Sequence, residues 1–305
     1  MVRTRVVQTL FAYYQREDAS PAEARKSLQK SFEDLYALYI HLFGFANELI
    51  KYAELQIEEN RARAKATHSA YIPDRKFINN KFAADLFNHR EIRHWTEEYK
   101  LDWDAGMNAI TSMYKLLQSQ PFFLNYMQQE TTSYEDDRHV FRRIYQDLLP
   151  NNESVHQSLE DMEIALDRNH WSTDFEVVLS YVIKTMKQFK KEGDEPRLLP
   201  MFENEDELNF GMDLLQQTID HRDEYSQMID KYLHNWEADR VAYMDRIIML
   251  TALTEILQFP NIALEVSLNE YIEIAKEYSS EKSHLFINGI LDNILKEQNI
   301  NGITN

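Results

Sequence analysis

The chain has 305 residues, 44% of them hydrophobic, with no cysteine and a formal net charge of −18. That composition supports one large or two ordinary apolar cores. It excludes disulfides, Cys-ligated zinc and a Cys nucleophile, and the charge argues against nonspecific nucleic-acid binding, which needs Lys and Arg against phosphate.

Only 6 Gly and 7 Pro across this length point to long helices and few turns. Glu255 and Gln258 interrupt the richest apolar run, and the N-terminus has no apolar h-region. A membrane span and a secretory signal are therefore not expected, and a cytoplasmic location is.

In chain order, residues 3–15 read as a short amphipathic helix that buries Val6, Val7, Leu10, Phe11 and Tyr14. Ser20-Pro21 opens the next helix, with Pro at its first position. Leu28, Phe32, Leu35, Tyr39, Leu42, Ala46, Leu49 and Ala53 then form one stripe, predicting a helix from about 22 to 64 that could bend near Gly44. Residues 67–80 read as a loop. Helical spacing resumes over 81–100, 104–119, 137–148 and 155–168, and a further helix opens at Thr173 with Glu176.

The Gly-, Pro- and charge-rich stretch 191–204 is the clearest boundary, dividing the chain into 1–200 and 201–305. Asn204 and Glu207 are expected to cap a helix of about seven turns, with Trp236 anchoring its end. Another helix runs from Asp239 to about Leu257 and stops before Pro260. The last hundred residues finish with two helices. Ser267 and Glu270 offer a capping box, Ile272, Ala275 and Tyr278 a buried face, and Ser279-Ser280 a break. Phe286, Ile287, Ile290, Leu291, Ile294 and Leu295 form the final stripe, and Gly289 inside it suggests close approach of a backbone or ligand. No segment alternates with period two, so the fold is all-α.

This closing segment carries a denser signal than periodicity. Asn269-Glu270, Glu273, Ala275-Lys276, Ser283-His284, Phe286, Asn288-Gly289 and Leu291-Asp292 resemble the C-terminal signature of the NusB family of transcription antitermination factors. Asp245-Arg246, Ala252 and Glu255 match the preceding family helix in register, and RTRVVQTLFAYYQ resembles the family's opening helix. The resemblance implies two packed helical bundles, here with a set of extra helices inserted before residue 200. It also implies a non-enzymatic function: binding boxA-type single-stranded RNA with the ribosomal protein NusE, in a complex of Nus factors on RNA polymerase. No metal or cofactor is expected.

On that resemblance, Arg3, Arg5, Lys282, His284 and Phe286 are the candidate RNA contacts, with Phe286 placed to stack on a base. Asn269, Glu270, Lys276, Asn288, Gly289 and Asp292 are signature positions with structural or partner roles, the two asparagines tying helix ends together. The family's basic N-terminal arm is nearly absent here, and Leu250 and Thr254 stand where the family helix often has Arg and Tyr, removing polar surface.

The densest basic segment lies elsewhere. Residues 61–81 carry Arg61, Arg63, Lys65, Arg75, Lys76 and Lys81 against Asp74 alone, which could replace the arm or could be a solvated helix end and loop. A protein-only module that docks a basic partner is the alternative reading of the whole chain.

Phosphate-binding glycine loops are absent from the sequence. Glu91/His94 and Glu153/His156 have the Glu-x-x-His spacing of di-iron bundles, and Asp167/His170 is a weaker variant, but such a site needs two further carboxylates on neighbouring helices.

Overall fold

The computed structural model describes residues 1–202, 205–233 and 242–298. Among these the chain forms fourteen α-helices and no strand. None of these helices is long and apolar enough to cross a membrane. The expected cap at Asn204, the anchor at Trp236 and the helix start at Asp239 lie outside the described residues.

The chain divides into two compact units. One comprises Met1–Phe32 with the segment from Phe202 onward, and the other is Glu33–Met201. The boundary expected near 200 is one of two divisions; the other falls inside the second helix, so the first 32 residues belong with the C-terminal segment. The physical reason is local. Phe32, where the chain leaves the first unit, meets Phe202, where it returns, edge to face with ring centroids 5.0 Å apart.

The first unit is built on α1 (Val2–Tyr14), the start of α2 (Pro21–Ala66), α10 (Glu205–Asp220), α11 (Arg222–Leu233), α12 (Tyr243–Gln258), α13 (Leu264–Tyr278) and α14 (Ser283–Glu297). Helix α12 is its axis. Residues 247–255 are buried without interruption, so this helix is enclosed on all sides, with α1, α10, α11, α13 and α14 packed on it. The single long helix expected after residue 204 is broken at His221 into α10 and α11.

Helix α2 has a clear start signal. Ser20 N donates to Glu23 Oε2 at 2.8 Å and Glu23 N to Ser20 Oγ at 3.3 Å, a reciprocal capping box ahead of Pro21. From Glu33 onward α2 carries the core of the second unit, where Leu42, Phe43, Phe45, Ala46 and Leu49 are sealed from solvent. Around it lie α3 (Lys81–Asn88), α4 (Arg90–Glu98), α5 (Met107–Leu117), α6 (Pro121–Gln128), α7 (Tyr134–Arg143), α8 (Glu153–Ala165) and α9 (Trp171–Met186), with a π-helical turn at Ile144–Leu148. The helix expected over 81–100 breaks at His89, whose extended backbone ends α3 and whose Nδ1 accepts from Ile92 N to start α4.

Buried polar groups tie these helices down. Asp34, fully buried on α2, pairs with Arg168 at 3.1 Å and accepts from Asn169 N, while Trp171 Nε1 donates to the Asp34 carbonyl at 2.8 Å. That cluster fixes the α8–α9 turn, in which Asp167 and His170 take left-handed backbone conformations. Gly44 in mid-helix is explained by close approach: a Cβ there would lie 3.1 Å from Trp103 Nε1.

Candidate functional site

Two carboxylates on α12, ten residues apart, organise the signature end of the first unit. Glu255 is wholly buried and accepts from four groups. Arg3 Nε and Nη2 reach it at 2.8 and 2.9 Å, Ser267 Oγ at 2.6 Å and Tyr271 OH at 2.8 Å. Burial works against the charge on Arg3, but Glu255 more than offsets it and the guanidinium pKa is raised. Burial, with Glu255 alongside, raises the Tyr271 phenol well above its ordinary value. Arg3 also lies over the Phe210 ring at 5.1 Å. The second carboxylate, Asp245, accepts from Ser279 Oγ and, at 2.9 Å, from Ser283 Oγ.

These bonds overturn the expected caps. Helix α13 begins at Leu264, three residues before Ser267, whose buried hydroxyl serves Glu255 instead of a helix end. The break at Ser279-Ser280 is real, but Ser279 and Ser283 are turned inward to Asp245 and Lys282 occupies the cap position of α14. The buried face of α13 is Tyr271, Ile274 and Ala275; Ile272 and Tyr278 are only half-buried.

Asp245 thereby pins the start of α14, where Lys282 is exposed, His284 and Phe286 are half-buried and Leu285 is 67% exposed. His284 Nδ1 is buried and makes no hydrogen bond among the described residues. No described residue crowds Gly289: a Cβ there would meet no atom within 4 Å, so the expected close approach is not made among the described residues. Asn269 is exposed on α13 and Asn288 half-buried on α14, and neither caps a helix end among the described residues. Glu270 lies 3.7 Å from Arg3, Lys276 pairs with Glu273 at 2.6 Å, and Asp292 is half-buried.

The comparisons with known proteins point to one family. The NusB family model matches residues 175–296. The transcription antitermination protein NusB of Bacillus subtilis is 38% identical over 101 residues, covering 33% of this chain and 70% of its own length. That of Salinibacter ruber is 36% identical over 107 residues, 35% of this chain and 67% of its own. The chain belongs to the NusB family. The NusB of Methylacidiphilum infernorum is 42% identical over 83 residues, but the match spans only 58% of that relative's length and 27% of this chain. No solved structure matches the chain.

Placed in a NusB frame, the expected RNA contacts separate. Lys282, His284 and Phe286 cluster at the start of α14. Arg5 does not present a guanidinium to solvent: it is 2% exposed and its Nη1 donates to Gln8. Arg3 is committed to Glu255. Leu250 and Thr254 are both buried, so the exchange of Arg and Tyr at these positions removes no surface from this protein; Thr254 Oγ1 donates to the Leu250 carbonyl within the core.

The basic segment lies in the second unit and is largely neutralised. Arg61 pairs with Glu58, Arg63 with Glu59, and Arg75 with Glu54 at 3.0 Å. Lys76 Nζ donates to the carbonyls of Met127 and Gln129 at the end of α6. Lys81 pairs with Glu192 at 2.8 Å, which leaves Lys65 and Lys76 as the members without an ion pair among the described residues.

The Glu-x-x-His pairs do not assemble. Among the described residues no three His, Asp or Glu side chains are grouped to hold a metal ion. His156 instead faces the Pro150 carbonyl at 2.9 Å, and His94 packs on Trp95.

Sequence reading missed the organising roles of Asp245 and Glu255. A signal was present: Asp245 and Glu255 bracket a run, 247–254, that carries no charge, and carboxylates drawn inside with it must be paired or neutralised.

Proposed function

We propose that this protein acts in transcription antitermination, binding boxA-type single-stranded RNA together with NusE as part of a Nus-factor complex on RNA polymerase during ribosomal RNA synthesis. It does so without catalysis, in the cytoplasm. The observation that carries the reading is the start of α14, where exposed Lys282 sits beside half-buried His284 and Phe286 on a turn held by Asp245. A cation for phosphate, a ring for stacking and a rigid mount are the parts a single-stranded RNA site needs.

The test is fluorescence anisotropy of a boxA-like RNA, with and without purified NusE, at two salt concentrations. Tightening by NusE supports the reading. Phe286→Ala should then weaken RNA binding about five- to 150-fold, the worth of one aromatic stack.

A second reading, a protein-only module that docks a basic partner, is favoured by the commitment of Arg3 to Glu255 and the burial of Arg5. Capture of NusE with no RNA bound in either condition would select it over the first.

A further inference from the structure

Helix α9 ends in a basic strip that sequence reading missed. Residues 177–191 contain Lys184, Lys187, Lys190 and Lys191 and no Asp or Glu. Over 184–191 the strip is denser in cations than the run at 61–81, and it differs from that run in a second way. All four side chains are exposed, and none has an ion pair among the described residues.

The carboxylates that follow are engaged elsewhere. Glu192 pairs with Lys81 at 2.8 Å and Glu195 with Arg90 at 2.7 Å. Asp194 Oδ2 accepts from the backbone N–H groups of Lys190 and Lys191 at 2.6 and 3.0 Å. With Asp194 counted against the lysines, the strip keeps a surplus of three positive charges. Lysines at a helix C-terminus ordinarily serve its last carbonyls. Here Arg138 Nη1 does so, donating to the carbonyls of Phe189 at 2.6 Å and Lys187 at 3.5 Å. The lysine ammonium groups are left to solvent.

The helix sets a ring in line with them. Lys187 continues the helical backbone of α9, so Tyr181, Lys184 and Lys187, at three-residue spacing, follow one side of it. Tyr181 is 39% exposed, and its hydroxyl has no hydrogen-bond partner among the described residues. An exposed ring among unpaired cations suits single-stranded nucleic acid, whose bases stack while its phosphates meet the ammonium groups. An acidic protein surface would use the lysines but leave the ring without a partner. The net charge of −18 does not preclude such a contact, because exposed charges are screened beyond about 8 Å at physiological salt.

We propose that this strip is a second, sequence-independent contact for single-stranded RNA, with a base on Tyr181 and phosphates on Lys184, Lys187 and the lysines beyond. Point charges and a stacked ring read no base edge, so the contact is indifferent to sequence. It shares with the boxA reading only its class of partner, and every residue it uses lies in the second unit.

The probe is a fluorescent oligouridylate of about twelve nucleotides, titrated by anisotropy into the full-length chain without NusE over a range of salt. Lys184→Ala combined with Lys187→Ala should lower the slope of log affinity against log salt by about 1.4, or about 0.7 for each single-strand phosphate released. Tyr181→Ala should weaken binding about five-fold or more, and Tyr181→Phe, which keeps the ring, should not. A duplex of the same length, whose bases are already stacked, should bind more weakly. No binding at about 50 mM salt, an unchanged slope, or indifference to Tyr181→Ala would overturn the proposal. Tightening of boxA RNA by NusE is read separately on the parent protein. Its absence would overturn the boxA reading and leave the α9 strip standing, whereas an unchanged oligouridylate slope would do the reverse.

Discussion

Arg3 and Glu255 lie 252 positions apart in sequence and form a two-pronged ion pair around a carboxylate fully removed from solvent. The pair joins the opening helix to the central helix of the first unit. A residue expected to contact RNA therefore holds the fold together. Arg3→Ala would strand a buried charge, at a cost of about 3–5 kcal/mol. Adding Glu255→Gln should restore part of that loss by removing the charge while keeping a carbonyl acceptor for one of the Ser267 and Tyr271 hydroxyls and offering an amide donor to the other. Urea unfolding of the single and double variants measures both effects; equal stability of Arg3→Ala and the parent would show that the pair does not hold the two helices together.

Asp245 is expected to act on RNA binding without touching RNA. It holds Ser279 and Ser283, and so the turn from which His284 and Phe286 project. Asp245→Ala leaves the half-buried Ser279 hydroxyl and the buried Ser283 hydroxyl without their carboxylate acceptor, costing about 1–3 kcal/mol and loosening the start of α14. Hydrogen exchange should accelerate at residues 279–286, and RNA affinity should fall although Phe286 is intact. Faster exchange with unchanged RNA affinity would detach the site from its mount.

Periodicity made the α-fold, the 46-residue α2 and the stripe of α14 legible, because each repeats an apolar face over several turns. The breaks at His89 and His221 were not, since both interrupt spacing that continues in register on either side. Helix α6 escaped because its eight residues are too few to establish a period. At the candidate site, the string around Ser283-His284 and Phe286 marks the turn that Asp245 holds. The direction of the polar side chains was hidden: Ser267 looks like a cap until Glu255 and Arg3, remote in sequence, converge on it. Burial of a polar residue is decided by the partner it finds, and the local string does not contain that partner.

The basic run of residues 61–81 makes a quantitative prediction about salt. Removing one cation that binds a phosphate should lower the slope of log affinity against log salt by about one. Three free cations would give a change of about three on replacing Arg61, Arg63 and Lys65 by Ala. Since Arg61 and Arg63 are paired with Glu58 and Glu59, the expected change is about one or less. A drop approaching about three in RNA anisotropy would mean that those exposed pairs open on binding, which is inexpensive for surface ion pairs.

His41 predicts a pH dependence of stability. It is buried between Trp103 and Trp171, with ring centroids 4.3 and 4.8 Å away, and its Nε2 lies 3.2 Å from the Met162 sulfur. Burial, with Arg168 adding a smaller repulsion, pushes its pKa down to about 3. In the unfolded chain the imidazole titrates near its ordinary value, roughly 6.5. Between these values the unfolded state binds a proton that the folded state refuses, so stability is present above the unfolded pKa and is lost as pH falls through this window. The loss attributable to His41 between pH 7 and pH 5 is about 2 kcal/mol. Urea midpoints should fall over that range in the parent protein. His41→Gln, which cannot titrate, should flatten the profile by about that amount, whatever its effect on stability at pH 7. An unchanged profile in the variant would assign the acid sensitivity to other groups.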